Sequence, residues 1–158
     1  MPLTFAAIAP VIGGIAEEEA ITDNVEFPLS VLLINGRKDP LVPFKGGGVG
    51  FRHRRGRVIG AFETFNFWKT VCGIKNEPYI SYIVDKQSQK KTVKVFSAIG
   101  GRMNTEVILY VMIYGGHVFP GKKSGPLRKF LVGEGCNTLN AEDLIYNFFI
   151  NHPQAQLP

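Results

Sequence analysis

"VILYVMIYGGHVFPG", residues 107–121, joins an unbroken apolar run to a turn that carries a histidine. From Val107 to Tyr114 the tyrosine hydroxyls are the only polar interruption, which is the composition of a central strand covered on both faces. Gly115 and Gly116 end the run, His117 follows, and Pro120 and Gly121 close the turn. In a parallel sheet the working residues sit in loops beyond the carboxyl ends of strands. The partner of His117 therefore decides what this turn is for.

Working outward, the chain reads as strands alternating with helices. Phe5 to Val11 is small and apolar, a strand buried on both faces. Residues 16–29 form a polar connection with a helical turn, and "VLLIN", residues 31–35, is a second short strand ended by "NGRKDP". Phe62, Phe65, Trp68 and Cys72 fall at spacings of three and four, a helix stopped by Gly73. "YISYIVD" and "TVKVFSAI", joined by "KQSQKK", read as a β-hairpin. Asn140 caps a final helix with Glu142 and Asp143 in its first turn and Leu144, Ile145, Phe148 and Phe149 on its apolar face; Pro153 stops it. This alternation predicts an α/β fold, a mainly parallel sheet with flanking helices and an added β-hairpin.

Length and composition set the bounds. The 158 residues amount to one domain, 1–158, with no repeat, low-complexity tract or linker. Hydrophobic residues at 45% and charged residues at 20% exclude a disordered chain. The net charge of +5 permits weak attraction to polyanions without demonstrating it. No run approaches the ~20 apolar residues of a membrane span, and "MPLTFAAIAPVIGGIA" lacks the basic opening of a signal peptide. Cys72 and Cys136 show no metal-ligand spacing and are either free core thiols or one disulfide. No cluster of His, Cys or carboxylates suggests a metal, and nothing calls for a cofactor.

Asp39, in "NGRKDPLVPF", follows the strand "VLLIN" as His117 follows "VILYVMIY". Two neighbouring parallel strands would carry both loops to one sheet edge, where a carboxylate can hold an imidazole in one tautomer. A blander account fits the same residues. An Asp before a Pro commonly serves as an Asx-type turn former, and a lone His is commonly packed or solvated.

"LLINGRKDPLVPF", "ETFNFWKTVCG", "VILYVMIYGGHVFPG" and "LNAEDLIYNFFINHP" resemble, in that order, the C-terminal half of the poly(3-hydroxybutyrate) depolymerase and feruloyl-esterase-like carboxylesterases. The resemblance implies a partial α/β-hydrolase fold and an ester hydrolase lineage acting on esters of hydroxy or aromatic acids. It makes Asp39 the triad acid, His117 the triad base and Phe119 a substrate-pocket residue, with Trp68 in the core. Related enzymes are often secreted, but nothing in this chain assigns a compartment.

The serine nucleophile of that family sits on a G-x-S-x-G elbow, and none of Ser30, Ser81, Ser88, Ser97 or Ser124 lies in one. Chain order places the nucleophile before Asp39, so the resemblance implies a serine upstream of Met1 and a chain inactive alone. Cys72 is no substitute, because it lies inside a helix after the acid. The same reasoning leaves the Phe5–Val11 strand without a neighbour and predicts self-association or docking of an N-terminal hydrolase half there. The competing expectation is a non-catalytic oligomeric remnant that binds a partner or small ligand. "FRHRRGR", residues 51–57, reads as a solvated loop rather than a nucleic-acid site, and "KGGGVG", residues 45–50, as a flexible loop without a P-loop ending.

Overall fold

The computed structural model describes residues 5–22, 27–53, 55–122 and 125–153. In chain order its elements are β1 (Ala7–Ile8), α1 (Glu17–Thr22), β2 (Ser30–Gly36), β3 (Gly46–Gly48), β4 (Arg57–Ile59), α2 (Ala61–Cys72), β5 (Tyr79–Val84), β6 (Lys91–Ala98), β7 (Val107–Met112), α3 (Pro126–Val132) and α4 (Ala141–Asn151). Five strands form one sheet in the order β1-β2-β7-β6-β5, and β3 pairs with β4 in a separate antiparallel ribbon.

The α/β expectation is overturned by this sheet. β1, β2 and β7 are parallel, but β6 runs antiparallel to β7 and β5 antiparallel to β6. The helices are few and short, and a mixed sheet plus a two-stranded sheet replaces a mainly parallel sheet with flanking helices; a partial α/β-hydrolase fold is not what forms. The reason is topological. The hairpin read as an addition lies inside the main sheet, because β6 is the direct neighbour of β7. It enters β7 through a tight turn at Gly101–Thr105, where Gly101 N–H donates to the Thr105 carbonyl, so no helix is needed to cross over.

Individual elements follow their local chemistry. α2 ends where Gly73 adopts the left-handed conformation at φ 71° and its N–H returns to Lys69 and Thr70 carbonyls. Asn140 caps α4, its side-chain oxygen accepting from Glu142 and Asp143 N–H. β1 is much shorter than the expected Phe5–Val11 strand, since Pro10 has no N–H to give the ladder. The chain still tracks β2 beyond it, with Ile12 N–H donating to Ile34 O at 2.7 Å. The "KGGGVG" stretch expected as a loop forms β3, and α3 was not expected. Ser124 and Arg54 lie outside the described residues.

Alternate residues of the strands feed two cores on opposite faces of the sheet. Val31, Leu33, Val107, Leu109 and Val111 pack with Phe65 and Cys72 of α2, and Trp68 lies against them. Leu32, Ile34, Met112, Val93 and Val95 pack with Phe148 of α4 and with Cys136, which precedes that helix. Cys72 and Cys136 therefore face different cores and are both free thiols, which removes the disulfide alternative. Among the described residues no helix is long and apolar enough to cross a membrane.

Candidate functional site

β2 and β7 are in parallel register from Val31 opposite Val107 to Gly36 opposite Met112, so they end together. Their two loops leave at the same edge and are tied by backbone bonds. Arg37 N–H donates to the Met112 carbonyl and Lys38 N–H to the Gly115 carbonyl, both at 2.9 Å. Such closeness demands glycine. A Cβ on Gly36 would stand 2.5 Å from the Gly116 carbonyl oxygen, and one on Gly116 would stand 2.3 Å from the Val132 carbonyl oxygen.

At this junction His117 Nδ1 lies 2.9 Å from Asp39 Oδ2. The Asp39 side chain is 2% exposed and the His117 side chain 33%. Asp39 Oδ1 accepts the Leu41 and Val42 N–H groups at 2.8 and 2.9 Å. The carboxylate is thus an Asx-type turn former through one oxygen and a histidine partner through the other, so the two accounts of this residue are compatible. A carboxylate can only accept, which puts a proton on Nδ1 and, in the neutral ring, leaves the Nε2 lone pair open.

The histidine loop is braced from a third segment that sequence reasoning missed. His117 N–H donates to the Val132 carbonyl at 2.6 Å and Gly116 N–H to the Glu134 carbonyl at 2.8 Å. Val132 is the last residue of α3 and Glu134 follows it; the Gly125-Pro126 start of α3 was the available signal, since Pro fits the first position of a helix. Lys129 pairs with Glu134 across its end. Lys129, by hydrogen bond first and charge second, holds the Glu134 carboxyl below the usual range.

Phe119 is half-buried and packs on the core cluster of Leu32, Ile34 and Met112. Of the serines, Ser30 is buried and its Oγ accepts Glu106 N–H, while Ser88 is bonded to Asp85 in the hairpin turn. Among the described residues no side chain hydrogen-bonds Nε2 of His117, and none form a group of three or more His, Cys, Asp or Glu that could hold a metal. Arg57 of "FRHRRGR" pairs with Glu17 at 2.8 Å. Comparison with protein-family models, with curated proteins and with solved structures returned no match.

Proposed function

We propose that this chain supplies the acid and base of a serine-type ester hydrolase, with the nucleophile carried by another stretch of polypeptide. The observation behind this reading is the buried Asp39 carboxylate fixed by two backbone amides and bonded to a partly exposed His117. In acyl transfer Nε2 takes the serine hydroxyl proton as Oγ attacks the ester carbonyl, then gives it to the departing alcohol. The imidazole next takes a proton from the water that cleaves the acyl-serine, and returns it to Oγ as the acid leaves. Asp39 remains ionised and stabilises the imidazolium formed in each half. Esters of hydroxy or aromatic acids are the substrate class, by the resemblance of the ordered motifs.

The complementing polypeptide would dock on β1. That strand lies at one end of the sheet order, and Phe5 beside it is 69% exposed. An open apolar edge of this kind is a template for another chain.

The test is intact-mass labelling with a fluorophosphonate probe, applied to the chain alone and to any longer natural polypeptide or co-purifying complex that contains it. The expected result is no adduct on the chain alone and one serine adduct on the completed assembly, abolished by His117→Ala. An adduct that survives His117→Ala, or a completed assembly that never labels, would sink the proposal.

A further inference from the structure

The opposite edge of the main sheet has a different chemistry. β5 ends the sheet order, and Tyr79, Ile80, Tyr82 and Val84 all remain exposed along it. Ile80, Tyr82 and Val84 share one face, opposite Phe96, Lys94 and Lys91 of β6. Lys91 and Lys94 hold their ammonium groups 4.1 and 5.8 Å from the Tyr82 ring centroid, and Lys94 lies 4.7 Å from that of Phe96. Lys86 and Lys90 add charge in the adjoining turn, with Asp85 engaged by Ser88. Among the described residues none of these four lysines joins a salt bridge.

We propose that the β5 edge docks an extended acidic segment of a partner protein as an additional strand. Its main chain would bond the outward N–H and C=O groups of Tyr79–Val84. Its apolar side chains would cover Ile80, Tyr82 and Val84, and its carboxylates would meet Lys91 and Lys94. Charge decides among occupants. A second copy of this edge would bring lysine against lysine, which disfavours self-pairing. A nucleic acid strand has no peptide groups to complete the edge and needs a free ring to stack on, whereas the Tyr82 face is occupied by Lys91. The simple alternative is that the lysines only guard the edge against aggregation.

The experiment is a fluorescence-anisotropy titration of the full chain against a labelled peptide of alternating glutamate and valine, about eight residues long. Saturable binding is expected, about tenfold weaker in the Lys91→Gln/Lys94→Gln variant and lost when alternate peptide nitrogens are methylated. Hydrogen exchange on the wild-type complex should show new protection along Tyr79–Val84, a readout that needs no variant. Absence of saturable binding would leave only the guarding role and overturn the proposal. So would indifference to N-methylation, protection confined to other segments, or equal binding of an oligothymidylate of the same length.

Discussion

The Asp39 side chain is bonded on both oxygens and the His117 ring on one nitrogen, and this asymmetry orders the outcomes of substitution. Asp39→Ala strands two backbone N–H groups and the imidazole beside a buried gap; a loss of about 3 kcal/mol in urea unfolding is expected. His117→Ala removes one partner from a carboxylate that keeps two, and about 1 kcal/mol is expected. Asp39→Asn is the informative change. Its oxygen can still serve Leu41 and Val42, but its amide nitrogen donates toward His117, so Nδ1 becomes the acceptor and the proton moves to Nε2. Histidine ring 15N shifts should show that tautomer exchange with little change in stability. An unchanged ring spectrum would mean that Asp39 does not set the tautomer. The pairing itself was legible, because two core strands each ended in a turn with a chemically useful residue. The Leu41 and Val42 amides were implicit in the Asx-turn reading of the same aspartate.

Among elements, α3 and its exit are the support most open to testing. The Glu134 carboxyl is held low by Lys129, so its contribution is present above the ordinary carboxylate range and is lost as pH falls through the lowered folded value. Both side chains are more than half exposed, so global stability should move by only a few tenths of a kcal/mol. Faster amide exchange at Gly116 and His117 is the expected local signature, in Glu134→Gln at neutral pH and in the wild type on acidification. Exchange that stays unchanged in both would show that the ion pair does not brace the loop. α2 and α4 were legible because their apolar residues recur at three and four and their caps are conventional. β3 was not, since three successive glycines show no alternation of side chains.

For the whole molecule, the hidden variable was which strands became neighbours. Strand positions could be read from apolar runs, yet apolar runs do not say that a hairpin will insert beside β7 and turn a parallel sheet into a mixed one. β7 also carries a pH-sensitive group. Burial first, and Glu106 second, raise the Tyr110 hydroxyl above its ordinary value. A raised value contributes stability below the unfolded phenol pKa of about 10 and loses it as pH climbs through the folded one. Tyr110→Phe should therefore shift the alkaline unfolding midpoint upward, measured by circular dichroism; an unmoved midpoint would assign alkaline loss elsewhere. At the β1 edge, size-exclusion light scattering at micromolar concentration should find a dimer or larger species that Phe5→Lys, at an exposed position, disperses. A wild-type monomer would count against docking there.

The four-way approach of backbone at Gly36, Gly115, Gly116 and Val132 has an evolutionary corollary. A saturation library selected only for folding would retain glycine at 36 and 116 while letting residue 117 drift, because steric exclusion there acts without any turnover. The scaffold of the junction would then outlast its chemistry. Glycine retained on its own would record ancestry, whereas glycine retained together with Asp39 and His117 would record a reaction still under selection.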